Sequence, residues 1–405
     1  MNYLPGFYTA ESIPEAVKYE VLELLESGEL FRYSSESESS VSRLEMEFAE
    51  LMDMPFALAV SSCSSALFLS LKAIGLEPGS KVMIPAFTFS AVPSAVVHAG
   101  CVPVLVNVAD NYRIEMEEFE QKLSEGIDAV IVSHMRGHIS DMDAIVDLCE
   151  ERGVPIIEDA AHALGATWSG RKIGTIGQVG CFSFQSYKLI NAGEGGILVT
   201  RDVDIIARAV LMSGAYEHNW KKHPKINHRF TFWQNKLPLF NMRMSNLTAA
   251  VAGPQIREVS QRVKAGQANY DYVAKILNAS DWLHVPSPLE KEVRAPDSIQ
   301  FNLCGFDSDE DAKEFQRRAG GKGAEVQIFG LSEDNARAFW NWKFIHPQND
   351  LSPTRNVLVR ACDVRLPVNL SKKDLDLIAS ALVESVREVK EMSCPVDYAY
   401  GPEAQ

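Results

Sequence analysis

The stretch of sequence that decides the fold runs from residue 155 to residue 201 and reads PIIEDAAHALGATWSGRKIGTIGQVGCFSFQSYKLINAGEGGILVTR. Two apolar runs in it end in polar side chains, Asp159 after the first and Ser183 near the end of the second. His162 comes three residues after Asp159, and Lys188 comes twenty-nine residues after it. Open α/β sheets bind ligands at the carboxyl ends of their strands. The stretch therefore predicts that a carboxylate, a hydroxyl and a lysine meet at one edge of a sheet.

The surrounding sequence alternates between short β-branched runs and amphipathic helical segments from about residue 56 to residue 214. This alternation is typical of a largely parallel sheet with helices on both faces, and it predicts an α/β fold. The helical segments include 64–74 and 141–152, the second of which Gly153 ends. The predicted strands are 57–60, 82–85, 103–108, 129–133, 155–158, 180–184 and 196–200.

The last third of the chain has a different pattern. Residues 245–280 predict one long helix, and beyond it short strands at 298–303 and 325–328 mix with helices at 309–318 and 373–389. We therefore predict two domains. Residues 1–250 form a large α/β domain that includes the N-terminal segment, and residues 251–405 form the long linking helix and a smaller α+β domain.

The composition limits the classes of function. The 405 residues include 39 Lys and Arg against 54 Asp and Glu, a net charge of −15, and 46% of them are hydrophobic. Such a chain has ample apolar material for a packed core. Its acidic balance argues against nucleic acid as a partner, because phosphate backbones are held by clustered Lys and Arg. A local basic patch, suited instead to a small anion, consists of Lys221, Lys222, Lys225 and Arg229.

Several signals bear on localisation and on metals. The seven cysteines show neither a CxxC pair nor metal-ligand spacing, which is typical of a reduced, cytoplasmic protein. The N-terminus lacks the basic and apolar regions of an export signal, and no apolar stretch approaches the ~20 residues that span a bilayer. His134 and His138 are four residues apart, but Gly137 and the preceding strand place them in a loop. We therefore expect a cytoplasmic protein without membrane contact and without a metal.

The residues of the 155–201 stretch suit the chemistry of pyridoxal phosphate. A lysine amine condenses with the aldehyde of this cofactor, and a carboxylate keeps its pyridine nitrogen protonated so that the ring can accept electrons. Taken singly, Asp159 is as well explained as a capping residue, Lys188 as a surface charge and His162 as a surface histidine. Their joint order favours a pyridoxal phosphate enzyme. The glycine run 193–196 reads only as a turn, since it lacks the GxGxxG spacing of a dinucleotide site.

The motifs EDAAHALGA, CFSFQSYKLINAGEGGILVT and NMRMSNLTAAVAGPQI resemble those of the DegT/DnrJ/EryC1/StrS sugar aminotransferases. The resemblance implies the aspartate-aminotransferase fold, fold type I, with a mostly parallel central sheet and a smaller α+β C-terminal domain. It implies that Lys188 binds the cofactor aldehyde and that Asp159 holds the pyridine nitrogen. His162 is then the group packed at the cofactor, and Ser183 binds its phosphate.

Two upstream segments extend the resemblance. In AVSSCSSALFLSL, Ser62, Cys63 and Ser64 open a helix whose free N–H groups and positive end suit a phosphate, although an ordinary serine cap explains them as well. Cys63 and Ser64 stand where the family usually has Gly and Thr, and backbone donation survives both changes. In PAFTFSAV, Phe89 matches the aromatic residue that the family stacks on the pyridine ring, while a lone Phe is more often core.

Two further residues bear on partners and substrate. Asn241 matches the family asparagine that reaches the cofactor phosphate of the neighbouring subunit, which implies a homodimer; Met242 departs from the aromatic residue usual there. Arg136 follows the strand 129–133, and its guanidinium suits a substrate carboxylate.

The resemblance implies an aminotransferase that moves an amino group from L-glutamate to a carbonyl of a small sugar substrate. The loop around Arg136 and the FQSYKLINAGEGG wording are most similar to the branch that forms 8-amino-3,8-dideoxy-octulosonate for lipopolysaccharide. Within the family, a nucleotide-linked keto-deoxysugar or a keto-cyclitol are the alternatives. Other classes of function are a dehydratase and a non-catalytic regulator, and the presence of Lys188 argues against both. A nucleotide-binding α/β protein is a further alternative, but the sequence shows no glycine fingerprint for it.

Overall fold

The computed structural model describes residue 6 and residues 9–34, 39–346 and 350–393. The predicted outer limits of the two domains, residues 1 and 405, and Cys394 lie outside the described residues. The division at residue 250 itself remains a prediction.

The strands follow one another along the chain as β1 (Phe56–Val60), β2 (Lys81–Pro85), β3 (Val102–Val106), β4 (Ala129–Ser133), β5 (Ile156–Asp159), β6 (Thr167–Trp168), β7 (Arg171–Lys172), β8 (Val179–Ser183), β9 (Gly196–Thr200), β10 (Leu283–His284), β11 (Glu292–Val293), β12 (Ser298–Leu303), β13 (Gln327–Ile328) and β14 (Ala361–Arg365). The α-helices are α1 (Glu15–Ser27), α2 (Ser40–Leu51), α3 (Cys63–Ile74), α4 (Ala91–His98), α5 (Met116–Ser124), α6 (Met142–Glu150), α7 (Val203–Met212), α8 (His228–Trp233), α9 (Asn246–Ala252), α10 (Val259–Leu277), α11 (Asp309–Gly321), α12 (Ser352–Leu358) and α13 (Lys372–Ser393). Short 3₁₀ turns lie at Met135–Gly137, Asn219–Lys222, Gly253–Glu258 and Phe339–Asn341.

The large sheet has seven strands in the order β1-β9-β8-β5-β4-β2-β3. The pairings β8-β5, β5-β4, β4-β2 and β2-β3 are parallel, and β9 runs antiparallel to both of its neighbours. Strands β4, β5 and β9 are buried along their whole length, as expected where helices cover both faces of a sheet. The predicted α/β fold with a mostly parallel central sheet is therefore confirmed, and each predicted strand of this sheet lies within two residues of its observed bounds.

Side-chain caps fix the starts of the helices that follow strands. The Ser62 hydroxyl accepts a hydrogen bond from the Ser65 backbone N–H at the start of α3, and Asp141 does the same for the Ala144 N–H at the start of α6. After α6, Gly153 adopts the left-handed conformation, with φ of 66°, as the sequence predicted. These caps set where each chain segment leaves the edge of the sheet.

The predicted single helix over 245–280 is wrong in detail. The segment consists of α9, a 3₁₀ stretch over Gly253–Glu258, and then α10. Pro254 follows the end of α9, and a proline inside a helix removes an N–H donor and crowds the preceding turn, so the α-helical pattern is interrupted there.

The C-terminal part is built on an antiparallel four-stranded sheet in the order β10-β12-β14-β13. Its apolar core includes residues of α10, α11 and α13, such as Val273, Phe315 and Leu382. A third, three-stranded sheet in the order β11-β6-β7 joins the two parts, because Glu292 and Val293 of β11 pair with Trp168 and Thr167. The central strand β14 ends in Arg365, whose side chain lines the cavity described next.

Candidate active site

A cavity of about 530 Å³ lies where the carboxyl ends of the large-sheet strands meet loops of the C-terminal part. Nine of the ten site residues predicted from the sequence line it: Ser62, Cys63, Ser64, Phe89, Arg136, Asp159, His162, Ser183 and Lys188. The tenth, Asn241, is exposed and is not among the lining residues. The strand ends thus bring together side chains that are up to 126 residues apart (188 − 62) in the sequence.

Asp159 is the last residue of β5, and it is only 7% exposed. Its Oδ2 accepts a hydrogen bond from the Ser133 hydroxyl at 2.7 Å, and its Oδ1 accepts one from the Ala161 backbone N–H at 3.2 Å. The Cys63 sulfur lies 4.0 Å from the same Oδ1. The carboxylate is therefore held at the edge of the sheet while its residue lines the cavity.

Lys188 lies in the turn that follows β8, where its backbone N–H donates to the Gln185 carbonyl. Its Nζ is 2.6 Å from Nε2 of His162. Burial, and next the charge of Arg136, lower the pKa of Lys188 from 10.5 to about 7. Burial and the charge of Lys188 hold the pKa of His162 well below its usual value, so His162 is neutral and accepts from the ammonium form. A large share of the lysine is consequently an uncharged amine near neutral pH, the form that attacks an aldehyde.

The start of α3 is a place for an anion. Cys63 and Ser64 are its first two residues, so their N–H groups lie in the first turn, which has no partner within the helix. Gly196 of β9 lets the strand approach this turn, because a Cβ there would lie 2.4 Å from the backbone nitrogen of Cys63. The sequence reading of 193–196 as only a turn missed this contact. The signal was the second of two adjacent glycines at the start of an apolar strand, where a close backbone approach is a common cause.

Phe89 is 44% exposed and borders the cavity between the α3 start and the C-terminal part. The guanidinium of Arg337 lies 5.7 Å from the centre of its ring. An exposed aromatic ring at a cavity wall is not core, so the alternative reading of Phe89 as a core residue is wrong.

Arg136 lies in the turn after β4 with a left-handed backbone, φ of 55°, and it is 4% exposed. Its Nη2 forms an ion pair with Asp363 of β14. Arg294 donates to the carbonyls of Arg136 and Gly137, at 3.3 and 3.2 Å, and thereby holds the turn from behind. Arg136 thus lines the cavity with its charge already facing a carboxylate of the C-terminal sheet.

Sequence reasoning missed the cavity wall that the C-terminal part supplies. This wall includes Gln327, Asn335, Arg337 and Arg365. Arg365 forms an ion pair with Asp297 at 2.8 Å, and Arg337 donates to Gln327 at 3.3 Å. No periodicity or motif marks these residues, since they lie in short strands and loops. The sequence signal nearest to them is the Leu366-Pro367 pair directly after Arg365.

The basic patch does not belong to this cavity. None of Lys221, Lys222, Lys225 and Arg229 lines it, and Arg229 pairs with Asp204 at 2.6 Å. Lys222 donates to the Tyr33 carbonyl at 2.8 Å. The expectation that this patch assists an anionic substrate is therefore not supported by its position.

The two histidines of the 134–138 loop are also engaged elsewhere. His134 contacts the buried carboxylate of Glu158 at 3.1 Å, and His138 contacts the side chain of Gln300 at 2.9 Å. In the described part of the chain, no group of three or more His, Cys, Asp or Glu side chains is arranged to hold a metal ion. Over the same residues, no helix is both long and apolar enough to cross a bilayer.

Taken together, a mostly parallel seven-stranded sheet, a lysine of lowered pKa, a carboxylate at a neighbouring strand end and a helix start suited to phosphate are what the pyridoxal phosphate class of enzymes requires. The chain belongs to the DegT/DnrJ/EryC1/StrS aminotransferase family, whose model matches residues 12–383.

Individual relatives agree with this assignment. The chain is 33% identical over 226 residues to GDP-perosamine synthase from Vibrio cholerae, a match that covers 56% of this chain and 59% of the relative. It is 30% identical over 282 residues to 3-amino-5-hydroxybenzoate synthase from Amycolatopsis mediterranei, which covers 68% and 69% of the two chains. The matches thus span roughly three fifths to two thirds of the length of these curated relatives.

Solved structures show the same fold over nearly the whole chain. The crystal structure of 3-amino-5-hydroxybenzoic acid synthase superposes with a TM-score of 0.80 at 24% identity, covering 94% of this chain and 100% of that one. A putative sugar aminotransferase from Streptococcus pneumoniae, solved with its cofactor in the amine form, gives a TM-score of 0.83 at 20% identity, with coverages of 96% and 99%. The prediction of fold type I is confirmed by these structures, and the prediction of an aminotransferase is confirmed at the level of the family.

The residues of the cavity fit pyridoxal phosphate. The polar groups that it needs are present: a nucleophilic amine, a carboxylate and backbone donors at a helix start, the last kept accessible by the missing Cβ of Gly196. When bound, the cofactor supplies an aldehyde for amine exchange and a ring that accepts electrons from a carbanion.

Proposed function

We propose that the chain is a pyridoxal phosphate-dependent aminotransferase that moves an amino group from L-glutamate to a carbonyl of a sugar substrate. The observation that carries this proposal is the presence of Lys188 and Asp159 in one cavity, with the pKa of the lysine lowered to about 7. The alternatives of a non-catalytic regulator and a nucleotide-binding protein leave this pair without a role.

Each predicted residue then has a task. Lys188 would hold the cofactor aldehyde through its Nζ, and the same amine would be the base that accepts the proton from the α-carbon of the donor and the acid that supplies a proton to the acceptor carbon. Asp159 would keep the ring nitrogen protonated, and His162 would pack at the ring beside Lys188. Phe89 would flank the ring. The start of α3, with Ser62, Cys63 and Ser64, would hold the phosphate together with Ser183.

For the sugar substrate we propose an anionic sugar acid, 8-oxo-3-deoxy-octulosonate, which gives 8-amino-3,8-dideoxy-octulosonate for lipopolysaccharide. The charge of the cavity wall supports an anionic ligand. Three arginine side chains line it, Arg136, Arg337 and Arg365, against the carboxylates of Asp159 and Glu194, although the whole chain carries a net charge of −15. Two of these arginines also pair with carboxylates of the C-terminal part, Arg136 with Asp363 and Arg365 with Asp297. Such a wall attracts the carboxylates of glutamate and of a sugar acid.

A nucleotide-linked keto-deoxysugar is the second candidate. The similarity to GDP-perosamine synthase favours it, because the name of that relative refers to a nucleotide-linked sugar. The diphosphate of a nucleotide sugar also suits a cationic wall. A keto-cyclitol is the third, favoured by the 37% identity over 163 residues to L-glutamine:scyllo-inosose aminotransferase from Streptomyces griseus. A cyclitol is uncharged and would leave Arg337 without an anionic contact from the substrate.

We also propose a homodimer in the cytoplasm, with Asn241 reaching the phosphate site of the neighbouring subunit. Asn241 is exposed, and so are Leu239, two residues before it, and two aromatic side chains that contact Arg243, Phe31 and Tyr216, at 50%, 40% and 42%. The guanidinium carbon of Arg243 is 5.4 Å from the centre of the Phe31 ring and 5.3 Å from that of Tyr216. Mixing inactive Lys188→Ala and Asn241→Asp proteins tests this arrangement: in hybrid dimers one site escapes both changes, so activity returns, whereas sites confined to one subunit stay inactive.

The substrate is tested by two half-reactions. The purified protein is loaded with pyridoxal phosphate, converted to its amine form with L-glutamate, and freed of donor. It is then mixed with the oxidised octulosonate, a keto-deoxysugar nucleotide or scyllo-inosose, and return of the visible absorption of the lysine-bound cofactor is followed. We expect the fastest return with the octulosonate. Return only with the nucleotide sugar would reject the sugar acid, and no conversion by glutamate would reject glutamate as donor.

A further inference from the structure

Two hydroxyl groups stand behind the Asp159 carboxylate. The Ser133 hydroxyl donates to Oδ2 of Asp159 at 2.7 Å, and the Thr88 hydroxyl donates to Oγ of Ser133, also at 2.7 Å. Both distances are typical of strong O–H···O hydrogen bonds. The three side chains form a continuous line that ends at the carboxylate.

The topology of the large sheet places this line. Thr88 follows β2, Ser133 ends β4 and Asp159 ends β5, and these are three adjacent parallel strands. Ser133 and Asp159 are direct partners in the register of β4 and β5, so their side chains lie on the same side at the same level. The line is buried, since Thr88, Ser133 and Asp159 are 0%, 7% and 7% exposed. Ser133 and Asp159 thus stand on strand ends, and Thr88 stands in the buried segment that follows β2.

The direction of the hydrogen bonds follows from the number of donors. An ionised carboxylate only accepts, so the single proton of Ser133 must point to Asp159. Ser133 then has only lone pairs left toward Thr88, and the Thr88 proton must point to Ser133. Each hydroxyl polarises the next, which strengthens the bond that reaches the carboxylate.

We propose that Ser133, oriented by Thr88, is a positioning residue that holds Oδ2 of Asp159 and turns its other oxygen, Oδ1, toward the cavity. This inference rests on the proposed function, because it gives Asp159 the task of holding the protonated ring nitrogen of pyridoxal phosphate. With Oδ2 engaged by Ser133, Oδ1 is the oxygen on the side of Cys63 and Ala161, both of which line the cavity, and it accepts from the Ala161 N–H at 3.2 Å. The hydroxyl line acts on the cofactor only through Asp159 and touches no substrate.

The test compares variants that remove or keep the hydroxyl groups of Ser133 and Thr88. Ser133→Ala and Thr88→Val remove a hydroxyl, whereas Ser133→Thr and Thr88→Ser keep one. Ser213→Ala is the matched control, because Ser213 is a fully buried serine that donates to the Val210 carbonyl within its own helix turn and does not line the cavity. Circular dichroism and thermal unfolding establish that each protein is folded.

Two quantities are measured on the folded proteins: the dissociation constant of pyridoxal phosphate, by fluorescence quenching, and the pH titration of the visible band of the bound cofactor. We expect Ser133→Ala to weaken cofactor binding on the order of tenfold, the size of one lost hydrogen bond to a charged group. We also expect it to shift the pH at which the visible band of the bound cofactor titrates. Thr88→Val is expected to change the dissociation constant and the titration in the same direction but less. Ser133→Thr and Thr88→Ser, which keep the hydroxyl, are expected to leave both near the values of the unmodified protein.

The outcomes separate the inference from the function on which it rests. If Ser133→Ala and Thr88→Val bind cofactor and titrate like Ser213→Ala, the positioning role is rejected while the aminotransferase assignment stands. If the unmodified protein binds no pyridoxal phosphate, both are rejected. If Ser133→Ala does not fold, the Thr88 pair decides alone, because Thr88→Val and Thr88→Ser must then differ in titration for the proposal to hold.

Discussion

The two walls of the cavity are built in different ways. The wall toward the large sheet consists of strand ends and a helix start, and its residues come from recognisable stretches such as 62–64 and 155–201. The opposite wall comes from the C-terminal part, where Arg337 lies in a loop and Arg365 ends the short strand β14. The first wall carries the groups that suit the cofactor together with Arg136, and the second carries Arg337 and Arg365, whose charge suits a substrate. The difference shows that sequence motifs identify the residues that suit the cofactor, whereas Arg337 and Arg365, which suit a substrate, become apparent only in the structure.

The sharpest way to break this comparison is to remove the group on which the first wall depends. Lys188→Ala is expected to abolish the visible absorption of bound cofactor and to lower transamination at least about a thousandfold, because the amine acts both as covalent anchor and as proton carrier. Absorption spectra and a coupled glutamate assay measure these effects. Lys291→Ala, at an exposed lysine that pairs with Asp143, is the control. Turnover by Lys188→Ala near the level of the control would overturn the assignment.

The next effect concerns Asp159. In Asp159→Asn the amide keeps the size of the side chain but loses its charge, so the ring nitrogen of the cofactor is no longer held protonated. We expect turnover to fall roughly a hundredfold, the scale of a lost preorganised charge contact, while Lys188 still binds the aldehyde. Stopped-flow absorption of the glutamate half-reaction measures the loss. An unchanged rate constant would remove Asp159 from the reaction and leave it as a structural residue of β5.

Gly196 tests whether the backbone approach to α3 matters. A Cβ at Gly196 would lie 2.4 Å from the Cys63 nitrogen, so Gly196→Ala must displace the start of α3. We expect a loss of about 1–3 kcal/mol in the free energy of unfolding and weaker binding of pyridoxal phosphate, both measurable by denaturant titration and fluorescence. Gly320→Ala is the control, because nothing lies within 4 Å of a Cβ there. Equal behaviour of the two variants would show that the contact at Gly196 is unimportant.

Features that a local sequence pattern encodes were predicted, and features that depend on contacts between distant segments were not. The strands of the large sheet were predictable because buried parallel strands are short continuous apolar runs, and Asp159 ends one of them while Lys188 follows another. The break at Pro254 was missed because the helical apolar pattern continues across it. Arg337 and Arg365 were missed because their place depends on how β13 and β14 pair, which no local pattern encodes. The ion pair of Arg136 with Asp363 joins residues 227 apart, and it likewise appears only in the fold.

The lowered pKa of Lys188 gives a pH dependence for loading with cofactor. Only the neutral amine attacks the aldehyde, and its pKa is about 7 instead of the usual 10.5, chiefly because of burial. The loading rate should therefore rise about tenfold per pH unit below 7 and level off above it, rather than continue to rise toward pH 10. Stopped-flow mixing of cofactor-free protein with pyridoxal phosphate at several pH values measures this. A rate that still climbs steadily from pH 8 to 10 would contradict the lowered pKa.

The smallest expected effect concerns Arg337, in the wall that the C-terminal part supplies. Arg337→Met removes a cationic group while keeping an apolar side chain of similar length beside Phe89. If this wall binds the sugar substrate through its negative charge, the KM for that substrate should rise roughly tenfold, since a charge-assisted hydrogen bond is lost, while the dissociation constant of pyridoxal phosphate stays the same. Steady-state kinetics with varied sugar and saturating glutamate measure the first quantity, and fluorescence titration measures the second. Arg317→Met, at an exposed arginine that pairs with Glu314 on α11, is the control. A loss of cofactor affinity with an unchanged KM would show that Arg337 belongs to the cofactor wall, and the division of the cavity into two walls would have to be redrawn.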